Sequence, residues 1–285
     1  MDFEAFIGGI TDEKLNVYGV EVYRDGKLCL SWGDTRNTRY PVYSVTKSFL
    51  SAAFGIARDR GLISEKENVL QRMPEENLAR MTDEARKQME QITLKRLLTM
   101  SVEGFPFRPE GDSWLDFSLN YPLPHPETPL FNYSNICSYL VSAALEQAVR
   151  EDAYRFLEEN VLEKLGIRDV RCQRSPEGIF YGATGLEMTV NEMSRLGLML
   201  SAGGVFDGRR IVSEEYVREA TGVRQMNREG GYGYFIWKYR DGFSLNGKWG
   251  QRCYCLPESG LMISFMSCME NGSDRVKELM ERYLL

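Results

Sequence analysis

Ser44 and Lys47 lie three positions apart at the start of a segment that predicts a buried helix. In "YPVYSVTKSFLSAAFGIARDRG" the apolar residues after Val45 recur at helical spacing, and lysine is seldom buried without a partner. Residues i and i+3 share a helix face, so the amine can reach the hydroxyl. A lysine whose pKa is lowered by burial can take the serine proton and create a nucleophile. The competing interpretation is a capping serine beside a surface lysine, because an S-x-x-K pattern also arises by chance in a chain of this length.

A second pair of polar side chains, Tyr133 and Asn135, stands at the entry of the apolar pattern "YSNICSYLVSAALEQAVR". A phenol can hold or relay a proton, and a carboxamide can bind a substrate carbonyl. From a helix entry, two such side chains can both face a cleft. Taken alone, a helix cap followed by a core tyrosine explains the same residues more simply.

The third candidate element is "GKWGQRCYCLPESGLMISFM", in which Gly247 and Gly250 flank Lys248 and Trp249. Glycine in a strand allows another backbone to approach closely. A strand edge with free N–H groups, together with the N–H of Ser44, can form an oxyanion hole for acyl transfer. The alternative is a twisted or bulged strand without a catalytic role.

Other hydrolytic and metal-based chemistries find little support in the sequence. His125 is the one histidine, it lies in the turn-rich "YPLPHPETP", and no G-x-S-x-G motif occurs, so a Ser-His-Asp arrangement would depend on that residue alone. The six cysteines include no C-x-x-C pair, which is typical of buried thiols in a reducing compartment. Zinc sites usually need clustered histidine and cysteine. We therefore expect no metal site.

The elements that must position these residues can be predicted from turn signals and periodicity. "VYGVEVYRDGKLCLSWGD" predicts a hairpin with Asp25-Gly26 at its turn. The region from Val102 to Thr128 is rich in Gly, Pro and aromatic residues and predicts a long loop. The remaining segments are predicted as helices (44–60, "ITLKRLLTMS", "YSNICSYLVSAALEQAVR", "AYRFLEENVLEKLGI", "VNEMSRLGLMLSAGG" after a Thr189 cap, "DRVKELMERYLL") and as strands ("GYGYFIWKY", "FSLNGKWGQRCYCLP", "SGLMISFMSCM"). Strands at both ends with helices between them favour one antiparallel sheet with a helical insert.

Composition and charge limit the class of partner. The chain has 285 residues, of which 43% are hydrophobic and 27% charged, as expected of a soluble globular protein. A net charge of -6 argues against a nucleic-acid partner and an anionic membrane surface. The start, "MDFEAFIGGITDEKLN", lacks the pattern of a signal peptide, and no apolar run reaches the length of a membrane span. We expect a cytoplasmic protein that acts on a small-molecule or short peptide-like substrate; no sequence feature fixes an oligomeric state.

The order and spacing of the three elements resemble a known family. S-V-T-K from Ser44, Y-S-N from Tyr133 and K-W-G from Lys248 follow one another in the order found in class C β-lactamase-like serine hydrolases. That family includes D-aminopeptidases, family VIII esterases and 6-aminohexanoate-oligomer hydrolases. Flanking segments such as "GATGLEMTVNEMSRLGLMLSAGG" and "YGYFIW" are also similar to the family's pattern. The resemblance extends from about Val17 to Met269.

This resemblance implies a fold and a set of roles. The fold is α/β and β-lactamase/transpeptidase-like, with an antiparallel sheet built from both termini, flanking helices and an all-helical subdomain. Within a single domain of residues 1–285, the α/β part spans about 1–60 and 185–285 and the helical part about 61–184. Ser44 is implied to be the acylated nucleophile, Lys47 its base and Tyr133 a partner in proton transfer. Substrate binding is implied for Asn135, Lys248, Trp249 and Gly250, with orientation of the Lys47 amine as the alternative role of Asn135, and no cofactor is needed.

One departure from the family pattern bears on the substrate. Trp249 stands where β-lactamases carry Thr or Ser, whose hydroxyl helps to hold the carboxylate of a β-lactam. If "GKWGQ" aligns as in the amide hydrolases of the family, Lys248 contributes its backbone N–H rather than its side chain. The expected reaction is therefore hydrolysis of an amide or ester through an acyl-enzyme on Ser44. The alternatives are a β-lactamase or D-peptidase and, from another class, a non-hydrolytic sensor with the same pocket.

Overall fold

A six-stranded antiparallel sheet forms the centre of the computed structural model, which describes residues 1–285. The strands, in chain order, are β1 (Val17–Arg24), β2 (Lys27–Gly33), β3 (Tyr40–Pro41), β4 (Glu187–Met188), β5 (Val205–Phe206), β6 (Arg209–Arg210), β7 (Trp237–Tyr239), β8 (Gly242–Gly247), β9 (Gln251–Leu256) and β10 (Leu261–Ser267). The large sheet has the order β2-β1-β10-β9-β8-β7, and each neighbouring pair is antiparallel. Because β1 and β2 come from the N-terminal part and the other four from the C-terminal part, the predicted sheet built from both termini is confirmed.

Helices cover both faces of this sheet. In chain order they are α1 (Phe3–Asp12), α2 (Val45–Asp59), α3 (Glu75–Ala79), α4 (Asp83–Met89), α5 (Leu94–Leu98), α6 (Trp114–Asn120), α7 (Asn135–Val149), α8 (Ala153–Leu157), α9 (Val190–Ser201), α10 (Glu214–Thr221) and α11 (Arg275–Tyr283). α1 packs on α11, whereas α9 packs on β1, β9 and β10. α2 contacts both α7 and β8, so it joins the sheet to the helices between α2 and β4. No helix combines the length and the hydrophobicity that a membrane-spanning segment requires.

Two hydrophobic cores lie on the two faces of the sheet. Alternate residues of a strand point to opposite faces, and β10 divides accordingly. Ile263 and Phe265 join a cluster of 13 buried residues that includes residues of α1 and α11. Met262 and Met266 join a cluster of 67 buried residues that also contains α2, α7 and α9. The candidate catalytic helices therefore belong to the larger core.

Three predicted features, a hairpin turn, a helix end and a helix cap, occur where local sequence signals place them. Asp25 and Gly26 have φ angles of 51° and 74°, the positive values that a tight two-residue hairpin turn requires. The predicted helix after Ser44 is α2, and Gly61 follows its end with a φ of 71°. The predicted capping role of Thr189 is confirmed, since its hydroxyl accepts a hydrogen bond from the backbone N–H of Glu192.

Four expectations need correction. The predicted loop 102–128 contains α6, whose N-terminus is capped by the Ser113 hydroxyl; seven residues are too few for a visible period in a segment rich in Gly and Pro. The run "FSLNGKWGQRCYCLP" is two strands, β8 and β9, joined by a turn at Lys248–Gly250, because Trp249 and Gly250 have φ angles of 62° and 92°. "AYRFLEENVLEKLGI" is α-helical only in α8 and continues as one π turn and one 3₁₀ turn. "GYGYFIWKY" is a strand only in β7.

Candidate active site

A tight turn before α2 presents Ser44 at the N-terminus of the helix. Tyr43 has a φ of 48°, a left-handed conformation that costs a non-glycine residue roughly 1–2 kcal/mol. The N–H groups of Val45 and Thr46 donate to the carbonyls of Val42 and Tyr43, and these bonds close the turn. The backbone N–H of Ser44 donates to no protein group. It is therefore free to bind an anionic atom, which the positive end of the helix also favours.

Lys47 is fully buried one turn into α2, and its amine bonds to three oxygen atoms. Its Nζ lies 3.1 Å from Ser44 Oγ, 2.8 Å from Asn135 Oδ1 and 2.8 Å from the carbonyl oxygen of Ala183. Burial lowers the pKa of Lys47 to about 7, because removal from water disfavours the ammonium form. Lysine is thus available as a free amine near neutral pH, in contact with the serine hydroxyl.

The Ala183 carbonyl reaches Lys47 because residues 181–183 run between α2 and α7. Gly182 has a φ of 66°, and a Cβ atom there would lie 2.7 Å from a methyl carbon of Leu50 and 3.1 Å from Cβ of Ser142. Only glycine allows this close passage between the two helices. Tyr181, on the other side of Gly182, is almost fully buried and lines the cleft in front of Ser44.

Tyr133 and Asn135 are placed by the cap of α7. The Ser134 hydroxyl donates to the Pro106 carbonyl at 2.6 Å and accepts from the Ile136 N–H at 3.1 Å. The Tyr133 ring lies under Lys47, with Nζ 5.1 Å from the ring centroid, and stacks on Trp237 at 5.6 Å. Burial raises the pKa of Tyr133 to about 12, although the neighbouring Ser44 hydroxyl and the Arg252 charge act against that rise. The phenol therefore keeps its proton at neutral pH.

The third predicted element lies at the turn between β8 and β9. A Cβ atom at Gly247 would collide with the Val42 carbonyl oxygen, two residues before Ser44, so glycine lets the end of β8 pack against the turn that carries Ser44. Lys248 follows and lines the cleft with Ser44. Trp249 and Gly250 do not line it; the indole packs edge-on against Tyr43 at 5.3 Å, and the Lys248 amine lies 4.3 Å from the indole ring centroid.

A cleft of about 640 Å³ opens in front of Ser44. One part of its wall is aromatic, with Trp114 packed on Tyr181 at a centroid distance of 4.8 Å. Another part carries the exposed cations Arg108 and Lys248. A site of this kind, partly apolar with a few polar groups that converge on one atom, is typical of small-molecule recognition.

The structure thus brings six of the seven predicted residues into contact with one another or with the cleft: Ser44, Lys47, Tyr133, Asn135, Lys248 and, through Tyr43, Trp249. Gly250 faces away, since a Cβ atom there would collide with Ser267 Oγ. Sequence reasoning missed Ala183, Tyr181 and Arg108. Ala183 contacts Lys47 through its backbone carbonyl, so its side chain gave no signal in the sequence. The glycines of "YGATG" on both sides of Ala183 did indicate that the backbone comes close to another element there.

Two other features lie apart from this constellation. A cavity of about 580 Å³ lies between α9, α10 and the β7–β8 hairpin, and none of the predicted site residues lines it. Cys253 and Cys255 are buried with their sulfur atoms 3.8 Å apart, and all six cysteines are free. No group of three or more His, Cys, Asp or Glu side chains is arranged to hold a metal ion.

Comparisons with known proteins agree on the fold. A sequence model described as Beta-lactamase matches residues 9–283. No curated protein matches the chain. Several solved structures do match. One of them is a protein from Bacillus anthracis whose title describes it provisionally as a 6-aminohexanoate-dimer hydrolase. It superposes with a TM-score of 0.78 at 16% identity, over 95% of this chain and 79% of that chain.

Two further structures are similar along almost their whole length. A penicillin-binding protein homologue from Caulobacter crescentus gives a TM-score of 0.74 at 15% identity, over 98% of this chain and 94% of that one. EstCE1, described as a hydrolase with promiscuous acyltransferase activity, gives 0.75 at 13% identity, over 99% and 98%. At these identities the superpositions establish the β-lactamase/transpeptidase-like fold that the sequence predicts.

Proposed function

The chain belongs to the beta-lactamase family, and from that premise we propose that it is a serine hydrolase that cleaves an amide or ester bond through a covalent acyl-enzyme on Ser44. The family assignment and the hydrolases among the structural neighbours support an enzyme of the esterase or amidase type. The contacts among Ser44, Lys47, Tyr133 and Asn135 supply a chemical route for that reaction.

The observation that carries the proposal is the set of partners around the Lys47 amine. A neutral amine has two N–H donors and one lone pair. Asn135 Oδ1 and the Ala183 carbonyl, each at 2.8 Å, accept hydrogen bonds and cannot donate them. They take up both N–H groups, which leaves the lone pair directed at Ser44 Oγ, 3.1 Å away. In this arrangement the serine hydroxyl donates to Lys47, and Lys47 acts as the base when Ser44 attacks a substrate carbonyl.

Tyr133 supplies the proton that the leaving group requires. Its pKa of about 12 keeps the phenol protonated, whereas the Lys47 pKa of about 7 leaves about half of the amine neutral at pH 7. Two titratable groups whose pKa values are driven apart in one site are suited to the roles of acid and base. Lys47 receives the Ser44 proton, Tyr133 passes a proton to the departing amine or alcohol, and the same relay runs in reverse when water attacks the acyl-enzyme.

Backbone N–H groups stabilise the tetrahedral intermediate in this mechanism. We assign two donors to the oxyanion hole. One is the unpaired Ser44 N–H, and the other is the Lys248 N–H at the β8–β9 turn. Gly247 brings this turn against the Val42 carbonyl, beside the start of the Ser44 turn. Two preorganised N–H donors of this kind typically lower the barrier of acyl transfer by several kcal/mol.

The cleft favours a compact acyl group with an apolar or aromatic part, because Trp114 and Tyr181 form its wall. Because Trp249 packs on Tyr43 outside the cleft, position 249 supplies no hydroxyl to hold the carboxylate of a β-lactam, and fused β-lactams are disfavoured on that ground. We therefore propose small esters and amides as the substrate class.

An active-site probe tests this proposal. A fluorophosphonate should label the native protein at one site, and the label should disappear in Ser44→Ala. Ser213→Ala is the matched control, because Ser213 caps α10 through its hydroxyl but lies outside the cleft; its loss should cost roughly 1 kcal/mol of stability and leave labelling intact. Labelling that persists in Ser44→Ala contradicts the proposal.

A further inference from the structure

We propose that Arg252 is a positioning residue for acyl transfer, whose guanidinium fixes the β8–β9 turn that carries the Lys248 N–H to Ser44. This inference rests on the proposed function, because it concerns the second donor to the tetrahedral intermediate. It assigns a role to a residue of the third sequence element that does not line the cleft and was not among the predicted site residues.

The contacts of Arg252 span both ends of the turn. Its Nη1 atom donates to the carbonyl of Gly247 and, at 3.1 Å, to the carbonyl of Gln251. Gly247 ends β8, Gln251 begins β9, and the two residues are paired across the hairpin. The three residues of the turn, 248–250, lie between them. One guanidinium nitrogen therefore holds together the two backbone positions that define where Lys248 lies.

The turn needs such support. Trp249 has a φ of 62°, which is unfavourable for a residue with a side chain. The Ser267 hydroxyl also contacts the Trp249 and Gly250 carbonyls, at 3.0 and 3.1 Å, but these bonds hold the later part of the turn. Arg252 holds its start together with Gln251, whose Nε2 donates to the Lys248 carbonyl at 3.1 Å, and Gly247 is the residue that packs against the Val42 carbonyl next to the Ser44 turn. A shift of Gly247 would therefore move the Lys248 N–H relative to Ser44.

Arg252 acts through the backbone rather than on the substrate. It does not line the Ser44 cleft. Its side chain is only 20% exposed, and Nη2 lies 3.6 Å from Asp274. It lines a separate cavity of about 260 Å³ together with Lys238 and Lys277. Burial raises the pKa of Tyr133, and the Arg252 charge opposes that rise, so the same side chain also favours proton release by the acid of the site.

The geometry of the guanidinium explains why arginine suits this position. Its planar group presents several N–H donors in fixed directions, whereas a lysine ammonium is a compact point charge. Lysine can keep the charge near Tyr133, but its ammonium ends one atom closer to the backbone than Nη1 and should hold the two carbonyls less well. Methionine keeps much of the side-chain volume and loses both the charge and the bridge.

The test compares Arg252→Met, Arg252→Lys and Lys277→Met, with rates normalised to sites titrated by a fluorophosphonate. We expect Arg252→Met to lose roughly 10²-fold in kcat with KM little changed, as for a displaced catalytic group. Arg252→Lys should fall between it and the native enzyme. Affinity for a boronate, which forms a tetrahedral adduct on serine, should fall in parallel with kcat/KM. Lys277→Met removes a cation from the same cavity without touching the turn and should keep native rates.

Three results would overturn the assignment. Arg252→Met with native kcat per titrated site means that the turn holds without the bridge. Arg252→Lys with native kcat means that charge alone is sufficient. If Lys277→Met loses as much kcat as Arg252→Met, the positive charge around the cavity, and not the bridge between the two carbonyls, is responsible. If the native protein neither takes the probe nor turns over an ester, the proposed function fails instead, independently of Arg252.

Discussion

Replacement of Asn135 by aspartate should move the acid limb of the pH–rate profile upward. In the proposed mechanism Lys47 must be neutral to accept the Ser44 proton, and burial lowers its pKa to about 7. Activity should therefore rise through pH 7 and level off above it. Asn135→Asp places a carboxylate where the amide oxygen now lies, 2.8 Å from Lys47 Nζ. An opposite charge at this distance stabilises the ammonium and raises its pKa by about 1–3 units.

The size of the effect follows from the fraction of neutral lysine. At pH 7 a pKa of 7 leaves about half of Lys47 neutral, whereas a pKa of 8–10 leaves between about 9% and 0.1%. The rate at pH 7 should therefore fall roughly 5- to 500-fold and recover as the pH approaches the new pKa. The assay is kcat/KM for a small p-nitrophenyl ester between pH 5 and 10, corrected for spontaneous hydrolysis of the ester.

Asn135→Ala provides the matched control. It removes the acceptor without adding a charge, so any loss should persist across the pH range. An acid limb that stays near pH 7 in Asn135→Asp would show that Lys47 is not the titrating base. Loss that does not recover at high pH would show damage to the site rather than an altered proton affinity.

Three more predictions concern the rest of the constellation. Lys47→Ala and Tyr133→Phe should each lower kcat roughly 10²- to 10⁴-fold. The double variant should lose far less than the product of these two factors if Lys47 and Tyr133 act as one unit, and fully multiplicative losses in steady-state assays would contradict a shared proton relay. Native kcat/KM for nitrocefin should be low, and Trp249→Ser should raise it by about one to two decades, the worth of a charge-assisted hydrogen bond; serine is chosen because a β-branched threonine would be strained at a φ of 62°. A native value of roughly 10⁶ M⁻¹s⁻¹ or more would contradict our reasoning about position 249. Gly247→Ala should lower kcat roughly 10²-fold by displacing the turn, whereas Gly8→Ala, whose added Cβ meets no atom within 4 Å, should be silent; equal effects in the two variants would mean that the close packing of the turn is unimportant.

Side-chain chemistry and periodicity predicted the parts of this fold that depend on local signals. The Asp25-Gly26 turn, the Thr189 cap and the helix after Ser44 are each set by residues close together in the chain. The helix α6 escaped prediction because seven residues give too short a pattern within a segment rich in Gly and Pro. The turn at Lys248–Gly250 escaped because Trp249 adopts a positive φ, which tertiary contacts impose and composition does not reveal.

The same division applies to the candidate site. Ser44, Lys47, Tyr133 and Asn135 could be predicted because their side chains carry chemistry in a specific order. The Ala183 carbonyl could not, since a backbone acceptor is present at every residue. The low pKa of Lys47 depends on complete burial by surrounding helices, and the contacts of Arg252 depend on the pairing of β8 with β9.

Detection of the acyl-enzyme tests the central claim most directly. The native protein is mixed with an excess of a slowly hydrolysed ester, quenched in acid within the first turnovers, and examined by intact mass spectrometry and peptide mapping. We predict a mass increase equal to one acyl group, located on the peptide that contains Ser44 and absent from Ser44→Ala. Steady ester turnover without any acyl adduct, or an adduct on a different residue that survives in Ser44→Ala, would contradict the account.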